Sequence, residues 1–419
     1  MRDAELFQAA LGLGESWRVV GSCFDADQRR LELRIDFEWG ARFACPECDA
    51  AGCEVHDTTE KTWRHLDFFQ HQAYLVARVP RVRCPEHGVR QVGLPWARPG
   101  SGFTLLFEAL VMTLVAEMPV KAVGDLVGEH DTRIWRVVHH YVDRALAVQD
   151  LSGVTRVAVD ETSFRRGQDY VSVFACLDQA RVVFVTPAAT PAPTPAFAED
   201  LADHGGAAGQ VAEVCQDMSE SYLTGALEHL PEAEITFDRY HIKAQLTRAV
   251  DEVRRAERAE HGELLRHTRY LWLRNPRNLT DRQHDRLAEL LRLPLATGRA
   301  YRWMLRFDGV YEIEDPDQAA AYLRRFTRGA RRSRLGPIID FAQMVDEYWL
   351  GIVRWWHSRI SNGLLEGLHS LVQAAKRRAR GYRGAEKFHT ESRVYAAAAF
   401  SGGGCWGPGA RGDRRRWRG

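Results

Sequence analysis

Residues 156–186 (RVAVDETSFRRGQDYVSVFACLDQARVVFVT) contain three apolar runs in quick succession, separated by turn-forming residues. The runs span Arg156 to Phe164, Asp169 to Asp178 and Arg181 to Thr186. Short runs rich in valine and aromatic residues, bounded by glycine and polar residues, predict β-strands. We therefore expect three consecutive strands that meander within one sheet.

The residues that follow, up to about position 245, alternate between strand-like and helix-like segments. A helix is predicted near Pro195 to His204, a strand from Val211 to Asp217, and a helix from Ser219 to Leu230. A fifth strand, Ala233 to Asp238, leads into a long charged helix. The order β-β-β-α-β-α-β-α indicates an RNase H-like mixed α/β sheet with helices on both faces.

Acidic side chains end two of these strands. Asp160 closes the first strand and Asp217 closes the fourth. In an RNase H-like sheet these two strands are parallel neighbours, so their carboxyl ends would bring both aspartates together, where α/β sites usually form. Asp238, at the end of the fifth strand, is an alternative to Asp217 but lies one strand farther from Asp160. Glu161 is expected on the opposite face of the first strand.

A third acid, Glu366, lies far downstream in the run ISNGLLEGLH. A helix is predicted from about Leu364 to Arg378, with Asn362 and Gly363 at its N-terminus. Gln373 would share the face of Glu366, because seven residues make nearly two full turns. The same helix continues into a basic cluster that is expected to contact DNA phosphates, formed by Lys376, Arg377, Arg378, Arg380 and Arg383.

Three carboxylates in this arrangement are the ligands that Mg²⁺ or Mn²⁺ prefers. Two such ions support in-line phosphoryl displacement, one at the attacking oxygen and the other at the leaving oxygen. We therefore take Asp160, Asp217 and Glu366 as the candidate catalytic residues.

Two short motifs of equal spacing predict a structural zinc site in the N-terminal region. CPEC and CPEH would each place two ligands on one tight turn, and two such turns complete a tetrahedron without an open position. Cys53 and His56 are alternative ligands. The predicted ligands are Cys45, Cys48, Cys84 and His87.

A helix-turn-helix is predicted after the zinc region. One helix covers Phe103 to Glu117, the next stops at Gly128, and a third begins at Thr132. The third would enter the major groove, although an ordinary helical hairpin would show the same pattern. Four residues on its predicted outer face are expected to contact DNA: Arg133, Arg136, His139 and His140.

The composition is that of a globular protein of several domains. The chain has 419 residues, of which 27% are charged, and a net charge of +1. From residue 320 onward there are twenty Lys/Arg and seven Asp/Glu, which predicts a phosphate-binding surface.

No apolar run reaches the roughly 18–20 residues that a membrane span needs, and the N-terminus has no signal-peptide pattern. We expect a cytoplasmic, nucleoid-associated protein.

The sequence predicts a multidomain α+β chain. Its expected parts are a small zinc-binding β module, a helix-turn-helix, and an RNase H-like core interrupted by a helical insertion. The predicted boundaries are 1–100 for the zinc-binding module, 101–150 for the helix-turn-helix, 151–245 and 356–400 for the core, 246–355 for the insertion and 401–419 for a disordered tail.

Taken together, these motifs resemble the ISL3 family of DDE insertion-sequence transposases. The resemblance rests on the zinc module, Asp160-Glu161, the QDMS and FDRYH stretches, and the NGxxEG motif that contains Glu366. It implies an RNase H-like catalytic core with Asp160, Asp217 and Glu366 as the triad. It also implies that the N-terminal domains bind the ends of the element.

This resemblance predicts a DNA transposase that uses Mg²⁺ to cut DNA and join strands. Its expected partners are double-stranded DNA, as terminal inverted repeats and target, and further copies of itself in a homodimer or higher oligomer. Two alternatives remain open. One is a DNA-binding regulator without catalysis, and the other is an RNase H-like nuclease without strand transfer.

Overall fold

A computed structural model of the chain describes residues 3–14, 16–163, 170–187, 193–363 and 365–367, and the single positions 370, 373 and 390. These residues form two compact units, Met1–Tyr141 and Val142–Gly402. Within the described residues, no helix is long and apolar enough to cross a membrane.

The first unit begins with a short helix and a β-sheet. Its strand order is β1-β2-β5-β4-β3, and β6 pairs with the far end of β5. All pairs are antiparallel except β2 with β5. The elements are α1 (Asp3–Leu11), β1 (Arg18–Asp25), β2 (Arg30–Asp36), β3 (Arg42–Phe43), β4 (Cys53–Phe68), β5 (His71–Cys84) and β6 (Gly88–Gln91).

Three helices follow the sheet in the first unit. They are α2 (Leu105–Glu117), α3 (Val120–Val127) and α4 (Asp131–Ala147), which extends into the second unit. Thr104 caps α2 by accepting a hydrogen bond from the Phe107 backbone N–H. Gly128 ends α3 with a φ of 69°, a left-handed conformation that glycine adopts without steric cost. The predicted end of the second helix at Gly128 is therefore confirmed.

A buried arginine joins the sheet and the helices of the first unit. Arg64 of β4 is 1% exposed, and its Nε lies 3.8 Å from a carboxylate oxygen of Glu129, in the turn before α4. The backbone of Arg64 also pairs with Gly102 and Thr104, which precede α2. Buried charges are costly unless they are paired and hydrogen-bonded, so these contacts hold the two parts in one arrangement.

The second unit contains a five-stranded sheet in the order β11-β10-β7-β8-β9. The strands β7, β8 and β9 form an antiparallel meander, and β10 is parallel to both β7 and β11. The predicted RNase H-like order, with the first and fourth strands as parallel neighbours, is confirmed. The elements are β7 (Arg156–Ser163), β8 (Tyr170–Cys176), β9 (Arg181–Pro187), α5 (Pro193–Asp203), β10 (Glu213–Gln216), α6 (Glu220–His229) and β11 (Glu234–Phe237).

A helical region follows β11 and has its own apolar core. Trp272, Phe307, Phe341 and Trp356 are among its buried residues. Glu257 of α7 accepts hydrogen bonds from the backbone N–H groups of Ala296 and Thr297 and so stabilises the start of α10. The helices are α7 (Arg239–Glu260), α8 (Arg269–Leu273), α9 (Asp281–Leu291), α10 (Ala296–Asp308), α11 (Pro316–Ala330), α12 (Gly336–Glu347) and α13 (Trp349–Ser358).

The last of these helices packs tightly against the edge strand β11. A Cβ atom added at Gly351 of α13 would lie 2.5 Å from the ring of Phe237 and 3.3 Å from the carbonyl oxygen of Ile235. Both neighbours are constrained, because Phe237 is buried and Ile235 contributes backbone. Glycine at position 351 therefore sets how closely α13 approaches the sheet.

We predict that Gly351→Ala lowers the free energy of unfolding by about 1–3 kcal/mol, because overpacking at this contact outweighs the better helix propensity of alanine. Chemical denaturation of the full chain measures the change. Gly336→Ala is the matched control, since a Cβ there meets no atom within 4 Å. Equal stability of the two variants would contradict the packing argument.

Candidate functional site

Strand register brings three aspartates to one level of the second sheet. Cys215 of β10 pairs with Ala158 of β7, and Gln216 pairs with Phe237 of β11. Continued toward the carboxyl ends of the strands, this register places Asp217 between Asp160 and Asp238. The structure therefore brings the two predicted aspartates together at the expected edge, with the alternative Asp238 beside them.

The segment that carries Glu366 covers the face on which Asp160 and Asp217 lie. Ala158 and Cys215 form one apolar cluster with Ile360 and Leu365. Because alternate strand residues share a face, Asp160 lies on the side of Ala158, and Asp217, just beyond β10, continues the side of Cys215.

Glu161 points the other way, as predicted. One of its carboxylate oxygens accepts a hydrogen bond of 3.3 Å from the hydroxyl of Tyr222 in α6. Burial raises the pKa of Glu161. The charges of Asp217 and Asp160 raise it further, so Glu161 remains electrostatically close to them although its side chain points toward Tyr222.

The position of Glu366 follows from contacts on either side of it in the chain. Its backbone N–H donates to the carbonyl oxygen of Asn362 at 2.8 Å, as in the first turn of a helix. The side-chain amide of Gln373 donates to the hydroxyl of Thr162 at 3.0 Å and to the carbonyl of Ser163 at 2.7 Å. Gln373, which the sequence predicts on the same helix face as Glu366, thus contacts the end of β7.

Glu366 itself is exposed, and the three carboxylates are not gathered around a common point. Within the described part of the chain, the only group of three or more acidic, histidine or cysteine side chains with ligand atoms within 4.8 Å of one another lies in the first unit. The structure thus brings the elements of the predicted triad together without closing Asp160, Asp217 and Glu366 into an ion-binding cluster. The five basic residues predicted to bind DNA, Lys376 to Arg383, lie outside the described residues.

Burial and neighbouring charges shift the pKa of Asp217. Burial raises the pKa of Asp217, and the charge of Asp160 raises it further, whereas the Ser219 backbone N–H, which donates to Asp217 at 2.9 Å, and the nearby His241 lower it. Asp160 lies beside it and is partly buried, with its side chain 14% exposed. Carboxylates crowded in this way favour a bound cation.

His241 is a residue of this site to which the sequence analysis assigned no role. It lies in the first turn of α7, and its Nε2 is 3.6 Å from a carboxylate oxygen of Asp160. Contact with Asp160 raises the pKa of His241, and the charges of Asp238 and Asp217 add to the effect. Its position three residues after the strand-end Asp238 was the available signal, because that spacing places it at the carboxyl edge of the sheet.

Asp238 differs from the other two aspartates in its burial. It is 1% exposed, and one carboxylate oxygen accepts a hydrogen bond of 3.3 Å from the Asn362 backbone N–H. The other oxygen has no hydrogen bond of normal geometry among the described residues, although the backbone N–H of Tyr240 also faces the carboxylate. Burial raises the pKa of Asp238.

The four predicted zinc ligands come together in the first unit. The Cys48 Sγ lies 3.7 Å from the Cys84 Sγ, and the Nδ1 of His87 lies 3.7 Å from the Cys84 Sγ and 4.0 Å from the Cys45 Sγ. Ligands at about 2.0–2.3 Å from a tetrahedral zinc are separated by such distances. The alternative ligand Cys53 lies outside this group, and its thiol faces the carbonyl of Ala50.

The helix-turn-helix presents its third helix as predicted. Ile134, Val137 and Val138 of α4 are buried, while Arg136 is exposed. Arg133 is engaged within the protein, because it pairs with Glu129 and its guanidinium lies 4.3 Å from the ring centre of Phe103. Of the two predicted arginines, Arg136 is thus the more accessible.

Comparison with known proteins agrees with this architecture. A family model for the transposase domain of the ISL3 type matches residues 157–392, more than half of the chain. The chain belongs to the ISL3 transposase family. Two further models match the N-terminal region of this transposase: the helix-turn-helix domain of transposase family ISL3 at residues 93–142, and the zinc finger of the IS204/IS1001/IS1096/IS1165 transposases at residues 41–87.

Two relatives are similar over nearly their whole length. The transposase for insertion sequence element IS1557 of Mycobacterium tuberculosis is 26% identical over 422 residues, which cover 91% of this chain and 93% of the relative. The transposase for insertion sequence element IS1001 of Bordetella parapertussis is 28% identical over 372 residues, covering 85% and 89%.

We predict that Cys84→Ser removes bound zinc from the transposase and destabilises its first unit, because a structural zinc contributes folding free energy. Metal analysis of the purified full chain by mass spectrometry and a thermal melt measure both effects. Cys53→Ser is the control, since Cys53 is also buried but lies outside the cluster. Unchanged zinc content in Cys84→Ser would contradict the assignment.

Proposed function

We propose that this ISL3 transposase binds the terminal inverted repeats of an insertion sequence and catalyses Mg²⁺-dependent DNA cleavage and strand transfer. The main support is the placement of Asp160 and Asp217 at one level of adjacent parallel strands, under the segment that carries Glu366. Asp160, Asp217 and Glu366 are the proposed catalytic carboxylates, and Asp238 is the alternative to Asp217.

The donor set fits a hard divalent cation. All three side chains offer oxygen, and the like charges of Asp160 and Asp217 disfavour each other until a cation is bound. Bound there, Mg²⁺ would activate the attacking water or hydroxyl and stabilise the leaving oxygen. The protein residues would hold the ion and exclude competing orientations of the scissile phosphate, as in other phosphoryl transfer sites.

The first unit is proposed to recognise DNA as one body. Its zinc cluster, with all four ligands from the protein, would hold the segment between β3 and β4 against the end of β5 as a structural site. Buried Arg64 connects this sheet with the turn before α4. The proposed DNA contacts are Arg136 and Arg133 on α4 and the downstream cluster of Lys376, Arg377, Arg378, Arg380 and Arg383. Holding two DNA ends would require a dimer or a higher oligomer.

We predict that Asp160→Asn, Asp217→Asn and Glu366→Gln each lower the rate of strand transfer by about a hundredfold to a thousandfold, because each removes a charged ligand of the catalytic ion. The measurement uses labelled repeat-end DNA and separates joined products from cleaved ones. Binding of the DNA should remain within about twofold of the parent protein, since phosphate contacts supply the affinity.

Glu161→Gln is the matched control for this series, because Glu161 is adjacent to Asp160 but points to Tyr222. Its activity should stay near that of the parent protein. Unchanged strand transfer in all three triad variants would contradict the assignment of the catalytic residues. A parent protein that binds the repeat-end DNA without cutting or joining it would favour a DNA-binding regulator. Cleaved but unjoined products from the parent protein would favour a nuclease of the same fold.

We predict that Arg136→Ala weakens binding to the terminal repeat and lowers the slope of log affinity against log salt by about one, as expected for one lost phosphate contact. Fluorescence anisotropy at several salt concentrations measures the slope. Arg144→Ala, two turns farther along α4, is the control and should leave the slope unchanged. The same slope in parent and Arg136→Ala proteins would exclude this contact.

A further inference from the structure

Asn362 lies where three functional segments of the second unit meet. It is fully buried at 0% exposure. Its side-chain amide donates to the carbonyl oxygen of Val159 at 3.1 Å, and its backbone N–H donates to Asp238 at 3.3 Å. Its own carbonyl oxygen accepts the Glu366 N–H at 2.8 Å. One residue thus contacts the strand of Asp160, the end of β11 and the first turn of the Glu366 helix.

These contacts bear directly on the separation of the proposed catalytic acids. Val159 immediately precedes Asp160, so the bond from Asn362 is made one residue away from the proposed ligand. Glu366 follows Asn362 by one helical turn. A shift of Asn362 relative to β7 would therefore move Glu366 relative to Asp160, and a displacement of about 1 Å can cost about a hundredfold in rate.

Burial separates Asp238 from a role as a metal ligand. Asp238 is 1% exposed and has one oxygen committed to Asn362, whereas Asp160 and Asp217 retain partial exposure at the sheet edge. A carboxylate in direct contact with an ion and a DNA phosphate must be reachable from solvent. Asp238 is instead buried beneath the exposed edge of the sheet, where it contacts the backbone of Asn362.

Building on the proposed function, we propose that Asp238 and Asn362 form a positioning pair that fixes the Glu366 helix against the end of β7, and that Asp238 is not the second catalytic carboxylate. Asp238 accepts a hydrogen bond from the Asn362 N–H, which ties the Asn362 backbone to the end of β11. The Asn362 side chain donates to the Val159 carbonyl, which ties the same residue to β7. Two buried hydrogen bonds from a single residue leave it little freedom to move.

The unpartnered atoms of the pair indicate which substitution should be tolerated. One oxygen of Asp238 and the side-chain oxygen of Asn362 both lack hydrogen-bond partners among the described residues. An asparagine at position 238 would keep an oxygen to accept the Asn362 N–H. An alanine would remove the acceptor and leave the buried N–H unsatisfied.

The experiment compares Asp238→Asn, Asp238→Ala and Asn362→Ala with Asp217→Asn in the full chain. Asp238→Asn should retain strand transfer within about tenfold of the parent protein, whereas Asp238→Ala and Asn362→Ala should lose about a hundredfold in turnover with unchanged DNA affinity. Asp217→Asn should lose about a hundredfold to a thousandfold, as for the other proposed metal ligands. The rescue by asparagine at position 238 distinguishes an acceptor that positions a helix from a charged metal ligand.

Hydrogen exchange of the peptide that covers residues 360–367 provides a readout that needs neither activity nor metal. It should become faster in Asp238→Ala and Asn362→Ala and remain unchanged in Asp238→Asn and Asp217→Asn, with thermal melts to confirm that each variant is folded. Asp238→Asn as inactive as Asp217→Asn, with normal exchange, would overturn the proposal. So would unchanged exchange in both alanine variants. If the parent protein joins no strands, the proposed function fails, while the exchange result still decides the positioning role.

Discussion

Parallel pairing of β10 with both β7 and β11 constrains everything else in the second unit. It places three aspartates side by side, where their like charges oppose one another. Each is stabilised differently: Asp160 by His241, Asp217 by the Ser219 N–H, and Asp238 by the Asn362 N–H. This edge of the sheet therefore carries three neighbouring carboxyl groups, and the segment with Glu366 lies over it.

The core strands could be predicted because burial on both faces leaves continuous apolar runs, which propensity alone detects. The long strand β4 could not be predicted in this way. Its sequence, CEVHDTTEKTWRHLDF, is mostly polar and exposed, and only pairing with β5 and β3 makes it a strand. The aspartates were predictable because they lie at strand ends. The contact of His241 with Asp160 was not, because it depends on how the first turn of α7 lies over the edge of the sheet. The engagement of Arg133 with Glu129 and Phe103 also required the tertiary structure, since sequence spacing places it on the outer face of α4.

In the first unit, the zinc cluster and the helix-turn-helix depend on one another through Arg64. The zinc ligands lie between β3 and β4 and at the end of β5, and Arg64 lies farther along β4, where its side chain meets Glu129 before α4. The orientation of α4 therefore depends on the rigidity of β4. A metal cluster that itself offers no open coordination site can thus influence the orientation of α4.

The hydrogen bond between Asp238 and Asn362 joins residues 124 positions apart, and almost the entire helical region lies between them. This bond holds the two ends of the helical region together at the edge of the sheet, while the interior of the region has its own apolar core. Its helices can lengthen, shorten or be exchanged with only a small loop-closure penalty, because the cost grows slowly with loop length. The transposase domain can therefore accept new helical modules at this point, during evolution or by grafting, without disturbing the sheet edge.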